Sequence, residues 1–443
     1  MNPAITNKTK VPCVAHFGGN KAIQHSTAVA LLAVVIMVCQ PLLSVQAQTV
    51  QLSAILDSIQ QQNPSLKMYD ADIRSMDEAA KGARSWMPPE LGTGLWMVPY
   101  NPQLWKKMDG ATGMGQYMIS AQQMLPNKKK QDAQAGYMEA LSTVATEKKN
   151  ASLNDLQAAA KLNYYQWLII KKKQVILQQN KQLLQLMIQN AELRYKNGLE
   201  KLSAYYKATA ALGNIENMQI MLDNEVVQKR ITLNTLMNRD RMYNFEIDTL
   251  FTIKDFNSYS FDSTTFIAAR SDIKAVDKDI QLTYLQQQAE SAKLKPDFGV
   301  RYEHMFGFGG LPMQYTLMAM VKLPMAKWSS KMNKANIESL KWKAASLNQE
   351  KQSMVNQMSG MATGMRAEFE SKKKQVLLYQ RNIIPALQKN FQTMQLAYQQ
   401  NTEELFMLYD AWETLNMTQL DYLDQQLQLL VMQVQLDQLL EIK

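Results

Sequence analysis

Cys13, His16, His25, Cys39 and His304 are the only thiols and imidazoles among the 443 residues. Four of them fall within the first 47 residues, which leaves His304 alone in the rest of the chain. One imidazole without a thiol cannot supply a nucleophile and its base, a thiolate metal site or a disulfide. There is no Gly-x-Ser-x-Gly and no phosphate loop. Gly92-Thr93-Gly94 and Gly113-Met114-Gly115 are too short to hold a nucleotide and read as turn or strand glycines. Soft-ligand chemistry has more material: 30 methionines, 28 once Met1 and Met37 are set aside, with His304 next to Met305. Thioethers favour Cu(I), and alternation points Met118, Met124, Met318 and Met320 to one strand face. Methionine is also a flexible packing residue, and that role is the expected one. The sequence therefore predicts no catalytic residue, no cofactor and no metal site.

The elements that carry these residues come after a distinctive start. Residues 1–25 are polar, with Lys8, Lys10 and Lys21 and no acid; AVALLAVVIMVCQPLLSV follows, then Gln46-Ala47. A basic stretch, an apolar stretch and a small-residue exit predict a secretory signal peptide over 1–47. No basic flank follows it, which disfavours a membrane anchor, and the large Val38 before Cys39 disfavours lipidation. Without this segment the net charge falls from +9 to +6, since three lysines and no acids leave. That excess is mild, and no basic block interleaves with aromatics, so no nucleic-acid partner is expected. The Lys-Lys-Lys runs at 128–130, 171–173 and 372–374 read as solvated helix faces.

The rest of the chain repeats itself. At an offset of 207, Lys67 falls on Lys274, Asp70 on Asp277, Asp72 on Asp279, Ile73 on Ile280 and Pro89 on Pro296. YMISAQQMLPNKK (117–129) lies on YTLMAMVKLPMAK (315–327), and ELRYKNGLEKLSAYY (192–206) on QLAYQQNTEELFMLY (395–409). Ordered blocks this far apart mark a duplicated subdomain rather than a short solenoid unit. The expected division is a first repeat over 48–238, an equatorial connector over 239–269 and a second repeat over 270–443.

Gly and Pro cluster at 82–126 and 296–324, the same place in each repeat. Between them the chain is Gln/Lys/Leu/Ala-rich and nearly free of breakers, which favours helix. Leu162, Ile169, Ile176 and Leu183 are seven apart, as are Leu408, Leu415, Tyr422, Leu429 and Leu436. Such stripes predict helices packed as coiled coils. Pro126–Tyr195 and Pro324–Tyr398 read as single helices of ~100 and ~110 Å, with shorter partners at about 199–238 and 402–441. Each Gly/Pro-rich window reads as a strand hairpin, at about 90–125 and about 297–323. In 314–323, Tyr315, Leu317, Ala319, Val321 and Leu323 alternate with Gln314, Thr316, Met318, Met320 and Lys322; 116–125 and 298–306 alternate likewise. One apolar and one polar face of this length suits a tilted membrane strand. Trp86, Trp96, Tyr100, Trp105, Phe306, Phe308 and Trp328 sit where interfacial girdles would lie. Four strands cannot close a barrel, and an open edge is not tolerated in lipid. The expected fold is a membrane β-barrel plus a long α-helical coiled-coil barrel, with four strands per protomer and twelve in a homotrimer.

On these features the chain resembles the TolC family of outer-membrane efflux ducts. The leader helix QLSAILDSIQQQNPSLK (51–67), the duplicated plan, YKNGLEKLSAYYKA (195–208) and NIIPALQKNFQTMQLAYQQNTEELFMLYDAWETL (382–415) carry the resemblance. It implies a trimer in the outer membrane of a Gram-negative bacterium, surrounded by outer-membrane lipid and extending into the periplasm. There it would dock on a periplasmic adaptor and an inner-membrane pump that delivers drugs or metal ions. It implies adaptor-contact tips at Asn197, Gly198, Leu199, Asn401, Thr402 and Glu403. It also implies a gate region at Tyr195, Tyr398, Met407 and Asp410, with the two tyrosines packing beside the constriction. Two departures stand out. Asn401-Thr402 replaces the usual glycine, an exchange that asparagine's tolerance of left-handed backbone permits. Met407 occupies one of two positions that are often acidic, so closure is expected to rely more on apolar packing. The alternatives are a soluble periplasmic coiled-coil adaptor, which would lack two-faced strands, and a solute-specific porin, which would need many more strands.

Overall fold

A computed structural model describes residues 49–259 and 262–442. The signal peptide expected over 1–47 lies outside the described residues. Thr49–Val50 (β1) leads into Leu52–Gln62 (α1) and Pro64–Lys81 (α2). The sequence reads 51–67 as one helix, but the chain breaks it at Asn63. A proline disfavours helical backbone in the residue before it, and Asn63 is extended at φ −62°, ψ 126°. Its side chain accepts from Ser65 N at 2.9 Å, which caps α2, while its Nδ2 donates to Leu236 O at 2.9 Å.

Glu90–Trp96 (β2) and Gln116–Leu125 (β3) form the first hairpin, and Lys128–Lys196 (α3) follows without interruption for 69 residues. Asn127 caps α3, its side chain accepting from Lys129 N at 3.1 Å. Leu202–Leu236 (α4) returns along α3. Glu246–Ile247 (β4) then pairs in parallel with β1, a ladder too short to leave any periodicity in the sequence. Ser263–Ala269 (α5) and Ser271–Ala292 (α6) lead to the second hairpin, Asp297–Gly307 (β5) and Gln314–Lys322 (β6). The order is then Lys327–Leu378 (α7), a wide π-turn at Tyr379–Ile383, Ile384–Gln399 (α8) and Leu405–Leu440 (α9). The single helix expected over Pro324–Tyr398 is thus divided. Pro385 has no N–H for the carbonyl one turn back and its ring crowds that turn. The backbone widens instead, and Ile384 N–H reaches Tyr379 O, five residues back.

The sevenfold pattern places the core, with one adjustment. On α3 the predicted row closes fully only at Ile169, whereas the neighbouring row Ile170, Leu177, Leu184 and Ala191 is buried throughout. On α9, Leu408, Leu429 and Leu436 are buried as predicted, and beside them so is the whole row Tyr409, Asn416, Leu423, Leu430 and Asp437. A helix with partners on two sides buries two adjacent rows; α3 packs on α2, α4, α6 and α9, and α9 packs on α3, α7 and α8. Val355, Ala362, Phe369 and Val376 supply the corresponding row on α7.

The segment after β4 is laid across these helices as a strap. Tyr164 Oη donates to Asp248 O at 2.8 Å, and the Lys172 ammonium lies 4.3 Å from the centre of the Phe251 ring. Gln433 Nε2 donates to Thr252 O at 3.3 Å, and its Oε1 accepts from Lys254 N at 2.9 Å. Lys254 Nζ reaches both carboxylate oxygens of the buried Asp437 at 2.9 Å, and Lys161 Nζ lies 3.5 Å from the same group. Burial lowers the pKa of Lys161, and the Asp437 carboxylate opposes that shift. Phe256 closes the strap, edge-on to Phe369 with ring centres 5.2 Å apart.

Candidate channel wall, tips and constriction

The four long strands form one antiparallel sheet in the order β2-β3-β5-β6, with β2 and β6 at its edges. Residues paired across strands share a face. Ile119 pairs with Thr93 and His304, Ala121 with Leu91 and Tyr302, and Tyr302 with Leu317. One face therefore carries Leu91, Leu95, Tyr117, Ile119, Phe298, Val300, Tyr302, Tyr315, Leu317 and Val321. This face is open rather than packed: Leu91 is 78% exposed and Tyr315 72%. The other face carries Gln116, Ser120, Gln122, Arg301, Glu303, Gln314, Thr316 and Lys322, with Arg301 Nη2 2.5 Å from Glu303 Oε1. His304 falls on the apolar face, edge-on to Phe306 with ring centres 4.4 Å apart. Met305 points to the opposite face, as period two requires, so these neighbours do not form a joint site. Exposed Trp86 and Trp328 flank one end of the sheet; Tyr100, and Trp105 stacked 5.8 Å from Phe308, flank the other. A soluble hairpin would press its apolar face onto a core, and this sheet does not.

The two helix-helix turns share one geometry. Leu199 N donates to Arg194 O at 2.9 Å and Gly198 N to Tyr195 O at 2.9 Å. In the second turn Thr402 N donates to Ala397 O at 3.0 Å and Asn401 N to Tyr398 O at 3.1 Å. Both are Schellman-type ends, which need left-handed backbone at one residue. Gly198 (φ +71°) and Asn401 (φ +58°) provide it, so the second turn keeps its shape without glycine. Asn197, Gly198, Leu199, Asn401, Thr402 and Glu403 are all exposed. Between the turns lies a groove of ≈ 430 Å³ with Arg194 and Lys201 on one side and Glu403 and Glu404 on the other. Lys201 Nζ stands 3.5 Å from Glu404 Oε1.

The two tyrosines of the expected gate region have different settings. Tyr195 is exposed, whereas Tyr398 is only 6% exposed, with the Arg194 guanidinium 4.6 Å from its ring centre. Burial raises the Tyr398 pKa, and neither its hydroxyl nor Arg194 Nε has a hydrogen-bond partner among the described residues. They border a cavity of ≈ 510 Å³ between α3 and α8 that also touches Leu193, Phe391 and Leu408. The contact of Arg194 with Tyr398 is one that no local sequence signal announces. On α9, Met407 and Asp410 lie on one exposed stripe with Thr414, Met417 and Asp421. Its continuation beyond Asp410 was readable from helical spacing alone. Two further contacts escape sequence reasoning. Lys207 Nζ sits 4.1 Å from the Phe406 ring centre and 4.2 Å from that of Tyr409, and the Trp412 indole donates to Asn180 Oδ1 at 2.7 Å. Burial pushes the Tyr409 phenol up to about 12, reinforced by the nearby Glu413 carboxylate.

Because Asp410 stands exposed without an ion pair among the described residues, removing it breaks no internal contact. Asp410→Ala should change single-channel conductance in planar bilayers only modestly. Met407→Asp, which adds a second acid one turn away, should increase block by divalent cations. Like charges ~6 Å apart repel by roughly 1–3 kcal/mol at intermediate dielectric, enough to attract a cation. A large conductance jump from Asp410→Ala alone would contradict this assignment.

Among the described residues, no group of three or more His, Cys, Asp or Glu side chains gathers to hold a metal ion. No helix there is long and apolar enough to cross a membrane. What the protein presents is a two-faced sheet carried on long coiled-coil helices. Residues 55–239 match the outer membrane efflux protein family. The fold is similar to the outer-membrane channel OprN, at 14% identity over 88% of this chain and 89% of that one, with a TM-score of 0.71. It is similar to CusC at 14% identity over 89% and 92%, TM-score 0.70. It is also similar to the outer membrane protein VceC of Vibrio cholerae at 16% identity over 88% and 95%, TM-score 0.70. No curated protein matches the chain in sequence. The match to the efflux-protein family thus covers the first part of the chain, and the fold as a whole is that of outer-membrane channels.

Proposed function

We propose that three copies of the chain assemble into a passive export duct, with a twelve-stranded barrel in the outer membrane and a helical tunnel in the periplasm. The observation that carries this reading is the sheet: its apolar face is exposed and its edge strands β2 and β6 are unpaired. Such a sheet is stable in lipid only when its edges are closed, here by the sheets of neighbouring copies. The repeats over 48–238 and 270–443, joined by the connector 239–269, would each give the trimer one hairpin and one pair of helices per copy. The work is conduction and gating rather than catalysis. The turns at Asn197-Gly198-Leu199 and Asn401-Thr402-Glu403 would meet a periplasmic adaptor, which couples the duct to an inner-membrane pump. Met407 and Asp410 would line the constriction, with Arg194 on Tyr398 holding the neighbouring helices together behind it.

The test is export in a strain that lacks its own ducts but keeps adaptor and pump. The chain should restore export, and deleting the adaptor should abolish it again. Export that persists without the adaptor would overturn the reading.

A further inference from the structure

The sheet sorts its methionines. The polar face carries Met118, Met124, Met305, Met318 and Met320, whereas the apolar face has none within the paired strands. Filler methionines would go to either face, and the lipid-like face is the one an apolar side chain suits. The register also pairs them. Met118 lies directly opposite Met305, while Met124 and Met320 flank Gly299 from the two neighbouring strands. A Cβ at Gly299 would lie 2.6 Å from Met124 Sδ and 3.2 Å from Met320 Cε. Both side chains therefore fold into the space the glycine leaves, on a wall that also carries Gln, Ser, Thr and charged groups, several glycines and, at its end, Trp96.

Thioethers are soft donors, suited to monovalent soft cations and poor for K⁺, Mg²⁺ or Zn²⁺. Paired in a wall whose charged groups include the buried Glu303, they make a surface on which a soft cation can pause and pass on. We propose that Met118–Met305 and Met124–Met320 are two tiers of a soft-cation path along the barrel interior, for ions of the Cu(I) and Ag(I) class. This rests on the duct reading above, which makes the polar face the lumen.

Silver(I) is the probe, since it needs no reductant. Full-length protein in detergent is mixed with silver nitrate, passed over a desalting column and assayed for retained metal. Met124→Leu/Met320→Leu should each time lose about one retained silver per chain, and Met118→Leu/Met305→Leu about one more. Leucine keeps the volume of methionine and so preserves the packing. Met218→Leu/Met221→Leu, on α4, should lose none. Equal silver in wild type and both strand variants, at unchanged mass and circular dichroism, overturns the proposal. So does unchanged silver accompanied by weaker channel block by tetraphenylphosphonium, which makes the thioethers a lining for organic cargo. The same preparations are tested for K⁺ conductance: conducting channels that hold no silver overturn this inference alone, and failure to form channels overturns the duct reading first.

Discussion

Asp437→Ala should lower the stability of the helical region by about 3–5 kcal/mol, the range for removing one partner of a buried ion pair. Asp437 is only 3% exposed and is the shared anion for Lys161 and Lys254. Lys254 can swing to solvent, its side chain being 35% exposed; Lys161 is held at 11%. Alanine would leave the Lys161 ammonium desolvated without a counter-charge and free the strap where Lys254 pins it. Denaturant unfolding followed by circular dichroism reads the loss. Asp437→Leu/Lys161→Met should recover most of it, because a buried pair exchanged for packed apolar groups is often neutral. If the single variant unfolds like the wild type, the strap is not held by this carboxylate.

Gly198→Pro should reduce export to the level of a strain without any duct, while the protein stays in the membrane. Proline fixes φ near −65°, and Gly198 stands at +71°. The substitution also deletes the N–H that donates to Tyr195 O at 2.9 Å. Gly198→Ala separates backbone from bulk, since nothing lies within 4 Å of the added Cβ. It carries only the left-handed penalty of roughly 1–2 kcal/mol and should export at an intermediate level. Asn401→Val, a β-branched residue at φ +58°, should behave more like the proline variant. Wild-type export from Gly198→Pro would show that this turn is not where the duct is engaged.

How much of this was readable depended on the range of the signal. Strands β3, β5 and β6 could be placed almost to the residue, because a wall between two environments writes period two into the chain. Strand β2, Glu-Leu-Gly-Thr-Gly-Leu-Trp, is blurred by its glycines and was placed only as part of a hairpin. The helix α3 was plain from its length without breakers. Pro64 and Pro385 were visible as residues, yet their effect depends on whether the local backbone bends or caps, which composition does not state. The heptad rows came out one residue short of the full picture because a helix gripped from two sides buries two rows. Lys161 with Asp437, and Arg194 with Tyr398, join elements from the two halves of the chain, and nothing local marks either pair. The tip turns were legible in Gly198. For Asn401 the sequence supplied only tolerance, and the φ angle supplied the fact.

On the proposed reading, this sheet closes only with the sheets of two other copies. The most direct test is the mass of the protein solubilised in mild detergent, measured by light scattering with the detergent contribution subtracted. A single species of three chains is the expected result. A monodisperse monomer with the sheet intact would contradict it, because four strands with exposed apolar residues and free edges would then be stable alone.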